Sequence, residues 1–375
     1  MSRPAVPPVV LSSTFSFDSA ADMAAAVRDK DRPLYTRWSN PTVEALEADV
    51  AEREGADGCL ATSSGVSAIH IALLAALGDG DGPLAVQNEV YGGTHELLTT
   101  LRWPVAVVRF GLEDAADVAR SLPAGAVVHV ELPTNPLVRV LDLAALRAAA
   151  PHVTIVVDAT FASPSLIQPL ALGADIVVHS ATKYVGGHHD AVAGVLSCNG
   201  ELLKRAWHFR KVLGPTLDPS AAYRLWRGLR TLDLRITQQS RSAALLAERL
   251  EAHPAVLRVH HPSLPSHPDH ALATSLFRDG LCGGVLSFEV ADAPAAATVI
   301  DAVQRFDIAA SLGGVASLIT WPAGVTHVQL SPSERLEAGI TDGLLRLAIG
   351  VEDPELLWSD LAAALRGGAE RGDGG

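Results

Sequence analysis

The chain has 375 residues, 48% of them apolar and 5% aromatic, which is enough for a large buried core and predicts one large domain with a smaller one attached. Its 42 acidic and 29 basic residues leave a net charge of −13 with no basic block long enough to track a phosphate backbone, which excludes nucleic acid as the expected partner. No apolar run approaches the roughly 18 to 20 residues of a membrane span. The start Met-Ser-Arg-Pro leads only to the short stretch Val9-Val10-Leu11, and Cys59, Cys198 and Cys282 are odd in number without a CxxC pair. Together these predict a cytoplasmic protein with reduced, structural thiols.

Residues 1–40 show little periodicity, with prolines at 4, 7, 8 and 33 and a fifth just beyond at 41, and predict an extended arm that needs another surface to order it. Over 41–235, short apolar runs alternate with helical patterns, which predicts an α/β fold whose mostly parallel sheet is covered by helices on both faces. The expected strands are 84–87, 105–110, 127–131, 154–158 and 175–179. Val66, Ile69, His70, Leu73, Leu74 and Leu77 share one face at i, i+3, i+4 spacing and predict an amphipathic helix. Residues 230–250 read as a long helix bridging to a C-terminal α+β unit over 236–366, with strands at 285–290 and 344–349. The Gly-rich, charged tail 367–375 is expected to be disordered. No internal repeat is visible.

Three loop signals fall where an open α/β sheet binds ligands, outside the carboxyl ends of its strands. In the first, Ser64 and Gly65 cap a helix, with Val66 in its first turn, and leave amide N–H groups free for an anion; the same residues could be a cap and nothing more. In the second, the strand Thr154-Ile-Val-Val-Asp158 ends on a carboxylate that needs a partner, with Thr160 beside it; a turn or cap aspartate is the competing reading. The third is His179-Ser-Ala-Thr-Lys-Tyr-Val-Gly-Gly-His188, where Lys183 is flanked by Ser180 and Thr182, which look like phosphate ligands. A lysine amine carries covalent chemistry when its surroundings favour the neutral form or commit it to a Schiff base. A helix start and hydroxyls for a phosphate, an Asp for a protonated ring nitrogen and a Lys for the aldimine are the needs of pyridoxal 5′-phosphate. Tyr91, on a loop with two glycines, is the candidate ring to stack on it.

Eight ordered stretches carry a resemblance over nearly the whole chain. They are Tyr35-Thr-Arg-Trp-Ser-Asn-Pro-Thr42, Ser63-Ser-Gly-Val66, Val90-Tyr-Gly-Gly-Thr94, Glu131-Leu-Pro-Thr-Asn-Pro136, Val157-Asp-Ala-Thr-Phe161, the Lys183 loop, Ser311-Leu-Gly-Gly-Val315 and Asp342-Gly-Leu-Leu-Arg-Leu347. In these the chain resembles the cystathionine γ-lyase, cystathionine γ-synthase and methionine γ-lyase family. The resemblance implies an aspartate-aminotransferase-like fold and a homotetramer built from two active-site-sharing dimers. It also implies that Tyr35 and Arg37 reach the neighbouring subunit's phosphate, that Arg346 clamps the substrate α-carboxylate, and that Asn135 and Ser311 line the same pocket. Bidentate geometry suits Arg to that clamp.

The expected chemistry is γ-elimination or γ-replacement on a sulfur-containing or O-activated homoserine-type amino acid. Lys183 acts as general base at Cα and Tyr91 as the acid that assists the leaving group. His95 and Glu96 stand where cystathionine enzymes of the family often carry Asn-Arg, Ala310 and Ala316 where they often carry Glu, and Gly93 where methionine γ-lyases commonly carry Cys. Glu96 and Ala310 are therefore the expected specificity residues. A β-eliminating carbon–sulfur lyase and a non-catalytic regulatory protein on the same fold remain open. A nicotinamide enzyme lacks its GxGxxG turn. His260, His261, His267 and His270 sit in a Pro-rich stretch without ligand spacing and read as solvated loop histidines, so no metal is expected. His188, His189 and Asp190 are expected to support the Lys183 loop from behind.

Overall fold

The computed structural model describes residues 4–29, 32–328 and 331–372, with no side chains described beyond 366. Strands β1 (Gly58–Thr62), β2 (Leu84–Gln87), β3 (Val107–Phe110), β4 (Val127–Glu131), β5 (Thr154–Asp158), β6 (Ile176–His179) and β7 (Gly194–Cys198) form one sheet in the order β1-β7-β6-β5-β4-β2-β3. Pairing is parallel from β6 through β3, whereas β7 runs antiparallel to both neighbours. The central strands VVHVE, TIVVD and IVVH are almost wholly buried, as a sheet covered on both faces requires. Their polar ends collect on one edge. In register, Glu131 lies opposite Asp158, and His179 ends the next strand.

A second sheet, β10-β11-β12-β9-β8, is built from β8 (Arg258–His260), β9 (Val285–Glu289), β10 (Asp307–Ile308), β11 (Leu318–Thr320) and β12 (Leu344–Ala348). The 20-residue helix Leu232–Glu251 joins the two cores. Its Leu232 and Ile236 pack with the first sheet, and its Ala243, Leu246, Ala247 and Leu250 pack with the second.

Three expectations about helices need correction. The N-terminal arm is not wholly extended, because the alanine-rich run Ala20–Asp29 forms helix α1, in keeping with alanine's high helix propensity. The next helices are α2 (Pro41–Glu54), α3 (Gly65–Leu77) and α4 (Gly92–Thr100). Helix α3 is not one-sided: Ala68, Ile71, Ala72, Ala75 and Ala76 are buried along with Ile69, Leu73 and Leu77, whereas Val66, His70 and Leu74 are only partly covered. It lies between β-sheet and the helix Gly200–Leu213, so small and large apolar residues face inward around most of its girth. The final helix, Pro354–Gly372, runs through most of the segment expected to be disordered, and 373–375 lie outside the described residues.

Three of the four histidines of the Pro-rich stretch are not solvated, and the fourth, His270, is half-buried with Nδ1 2.9 Å from the Pro262 carbonyl. His260, His261 and His267 are buried, and each ring is held: His260 by Glu289 at 2.7 Å, His261 by Ser263 at 2.6 Å and His267 by the Leu137 carbonyl at 3.5 Å. Among the described residues no cluster of His, Cys, Asp or Glu could hold a metal, and no helix is long and apolar enough to cross a membrane. The three cysteines are free thiols in buried positions, and burial pushes each thiol above its ordinary pKa.

Candidate active site

At the carboxyl edge of the large sheet a cavity of about 250 Å³ opens between the two sheets' loops. Helix α3 begins there. Ser64, in extended backbone, accepts the Ser67 N–H at 3.1 Å through its hydroxyl, and the earlier amides of the first turn have no intrahelical partner. The helix start is wedged tightly against β7: a Cβ on Gly194 would lie 2.2 Å from the Ser64 carbonyl oxygen. Only glycine permits this approach. Ser180 and Thr182 line the same end of the chain's Lys183 loop, although the Thr182 hydroxyl is also bonded to the backbone of Ala193, donating at 3.1 Å and accepting at 3.0 Å.

Asp158, at the end of β5, is fixed by Thr160. Its Oδ1 accepts the Thr160 amide at 3.0 Å and the Thr160 hydroxyl at 2.5 Å, and Thr160 Oγ1 in turn accepts the Ser180 amide at 2.8 Å. One hydroxyl thus ties the carboxylate to the Lys183 loop. Burial raises the Asp158 pKa, against the pull of the Thr160 hydrogen bonds and of His179. Behind this edge His179 Nε2 meets Glu54 Oε1 at 2.6 Å in full burial.

Lys183 Nζ donates to Ser311 Oγ at 3.0 Å. Desolvation, and then the positive charge of Arg346, brings its pKa down to about 8. Arg346, on β12 and 3% exposed, donates to Asn135 Oδ1 at 2.9 Å and to the Ser311 carbonyl at 3.1 Å, while its Nε has no protein partner. Among the described residues no carboxylate pairs with it. A buried guanidinium without a counter-ion is costly, and an anionic ligand is the natural remedy.

Tyr91 is the residue just before α4 and is 48% exposed at the cavity. Its ring lies over Gly93, where a Cβ would come within 2.5 Å of it, so glycine there lets the ring fold back on its own loop. Glu131 accepts the Tyr91 amide.

The cavity therefore brings together Ser64, Gly65, Val66, Tyr91, Asn135, Asp158, Thr160, Ser180, Thr182, Lys183, Ala310, Ser311 and Arg346, all read from the sequence. Glu96 is not among them: it is exposed on α4 and does not line the cavity. The substrate-contact role expected for it is thus not supported within one subunit. Tyr35 and Arg37 also lie elsewhere. Tyr35 is 41% exposed, and Arg37 donates to the Lys211 carbonyl at 2.5 Å with its guanidinium over the Tyr35 ring. Glu131, Val192, Leu312 and Thr326 line the cavity without having been singled out. Glu131 carries the same signal as Asp158, a carboxylate closing a buried apolar strand.

Capture of an aldehyde by Lys183 needs the neutral amine. In the cofactor-free protein, the rate of pyridoxal phosphate uptake should rise as pH increases through about 8 and level off above it. Stopped-flow absorbance across that range checks this, and a rate still climbing toward the ordinary lysine pKa would contradict it.

An amine made nucleophilic by burial, a carboxylate locked at a strand end and a helix start free for an anion, all at the carboxyl edge of an open α/β sheet, define a pyridoxal 5′-phosphate-dependent enzyme. The residues fit that cofactor on the unshared first-turn amides of α3 and the Thr160-locked Asp158. The chain belongs to the Cys/Met metabolism PLP-dependent enzymes, whose family model matches residues 2–366. It is 40% identical over 361 residues to an O-succinylhomoserine sulfhydrylase of Pseudomonas aeruginosa, covering 94% of this chain and 89% of that one. It is also 40% identical to a cystathionine beta-lyase of Lactococcus lactis subsp. cremoris, over 88% of each. Among solved structures, a cystathionine gamma synthase from Xanthomonas oryzae pv. oryzae, in complex with aminoacrylate and cysteine, superposes with a TM-score of 0.90 at 40% identity, covering 97% of this chain and 94% of that one.

Proposed function

We propose that the protein catalyses γ-elimination or γ-replacement on a sulfur-containing or O-activated homoserine-type L-amino acid. The observation that carries this reading is the convergence of Lys183, Asp158 and Arg346 on one cavity. Bound pyridoxal phosphate supplies an electron sink for negative charge developing at the substrate Cα. Lys183 would hold the cofactor through its amine, and its Nζ when free would take the Cα proton. Asp158 holds a proton on the pyridine nitrogen. The first turn of α3, with Ser180 and Thr182, receives the phosphate. Arg346, steadied by Asn135 and the Ser311 carbonyl, receives the α-carboxylate. The Tyr91 phenol protonates the departing group.

Ala310, Leu312 and Val192 give the cavity an apolar side. That favours a substrate whose side chain ends without a charge over cystathionine, whose distal carboxylate and ammonium would need partners. β-Elimination is the second reading, on the likeness to the Lactococcus lactis cystathionine beta-lyase. The active unit in this reading is a cytoplasmic homotetramer whose arm residues Tyr35 and Arg37 complete the neighbouring subunit's phosphate site; the exposed Tyr35 ring and the outward Arg37 support it.

Incubation with methionine, homocysteine, cystathionine, cysteine and O-acyl homoserines, with ketoacid and thiol adduct both measured, tests the reading. Turnover of an O-acyl homoserine, with ketobutyrate alone or with an adduct when thiol is present, is the expected result. Pyruvate from cysteine or cystathionine as the dominant product would replace it with β-chemistry. Borohydride reduction followed by peptide mapping should fix the cofactor on Lys183.

A further inference from the structure

Glu131 is the buried carboxyl that the scheme above leaves without work. It closes β4 in register with Asp158 on β5, is 5% exposed, and lines the cavity beside it. Its Oε1 accepts the Tyr91 amide. Its own amide donates to Gln87 Oε1 at 3.1 Å. The Tyr91 carbonyl accepts the Thr94 and His95 amides of α4, and on the other side the Tyr91 N–H is held by the Glu131 carboxyl. We propose that Glu131 is a positioning residue working as a neutral carboxylic acid: it holds the Tyr91 peptide, and with it the ring, at the cavity, and leaves Asp158 as the one negative charge at that strand edge. The proposal rests on the assignment of Asp158 and Tyr91 above.

Two carboxylates on adjacent strand ends, both nearly buried, cannot both ionise at moderate cost. The charged groups facing the pair decide which one keeps the proton. Asp158 accepts two hydrogen bonds from Thr160 and faces His179 on β6, all of which favour its ionised form. Glu131 faces Asp158 on one side and Glu89, from the loop after β2, on the other, and both disfavour a charge on it. Burial acts in the same direction and is the largest cause, so Glu131 sits well above the ordinary carboxylate range. The consequence for the reaction is a division of labour. A second anion beside Asp158 would compete for the ring-nitrogen proton, whereas a neutral acid only supplies an acceptor for Tyr91.

The test compares the holoenzyme with Glu131→Gln and Glu131→Ala. Difference infrared spectroscopy of wild type against Glu131→Gln should show a protonated carboxyl stretch that the variant lacks. Amide hydrogen exchange over the peptide containing Tyr91 should quicken about 10-fold or more in Glu131→Ala, and be restored by Glu131→Gln, whose amide oxygen can still accept. kcat should fall about 10-fold or more in Glu131→Ala, with most of the loss recovered in Glu131→Gln and cofactor content unchanged. Ionised-carboxylate bands in the difference spectrum, or an exchange rate at Tyr91 that Glu131→Ala does not move, would overturn the proposal. If Glu131→Ala does not fold, the infrared comparison decides alone. Neither physical readout needs turnover, so a failure of borohydride to trap the cofactor on Lys183 would sink the functional reading without being mistaken for a failure here.

Discussion

Lys183→Ala should lose at least about 10³-fold in kcat and should no longer be labelled by borohydride and cofactor. Both losses follow from one atom. Among the described residues Nζ is the only lysine amine that lines the cavity, and burial lowers its pKa to about 8, which suits it to the two proposed roles of cofactor-anchoring nucleophile and Cα base. The alanine variant keeps the α3 first turn, Ser180, Thr182 and Asp158, none of which depends on the Lys183 side chain for a hydrogen bond. It should therefore still bind pyridoxal phosphate, now without a covalent link and with the absorbance of the free aldehyde. The side chain it loses makes one hydrogen bond, to Ser311 Oγ, so the fold has little reason to collapse. Lys183→Arg separates the two roles of the residue: it retains positive charge but can neither condense with the aldehyde nor shed its proton. A Lys183→Ala variant that was still labelled by borohydride and cofactor and kept its turnover would remove this lysine from the mechanism.

The sheet's centre was readable because its strands are short, apolar and β-branched, and their ends are marked by charge: Asp158 and the Lys183 loop stood out for that reason. The same rule, applied evenly, would have marked Glu131. Strand β7 escaped notice because Gly194–Cys198 follows a loop of glycines and histidines, and because an antiparallel insertion breaks the alternation expected of a parallel sheet. β10 and β11, at two and three residues, carry too little pattern to be seen at all. Glu96 failed for a different reason. Its role is read from its place in the family motif, but which side of α4 meets the cavity depends on how the helix start is held, in part by a contact between Tyr91 and Glu131, 40 positions apart. Tyr35 and Arg37 are legible only through the family likeness, since nothing in a single subunit gives their exposed side chains a ligand.

Arg346→Ala should lower kcat/KM for the amino acid about 10²- to 10³-fold, almost entirely through KM, while the bound cofactor's spectrum and content stay as in wild type. The magnitude comes from the pairing it would remove: a charge-assisted, two-pronged contact between a desolvated guanidinium and a carboxylate. Arg346 is prepared for that contact at a cost. It lies buried with two neutral acceptors, Asn135 Oδ1 and the Ser311 carbonyl, an Nε with no protein partner and no counter-charge among the described residues, and desolvation brings its pKa down to about 10. Arg346→Lys keeps a charge but loses the planar fork that those acceptors orient, so it should recover only part of the affinity. Loss of the arginine has a second effect whose sign is fixed. The Arg346 charge lowers the Lys183 pKa, so in Arg346→Ala that pKa should move up from about 8 toward the ordinary lysine value of 10.5. The pH at which the cofactor-free variant captures pyridoxal phosphate should move up with it. Measuring KM and that capture profile in the same variant tests two independent consequences of one buried charge. A raised KM with an unmoved capture midpoint would keep Arg346 as the carboxylate clamp and discard it as a tuner of Lys183, whereas an unchanged KM would discard the clamp.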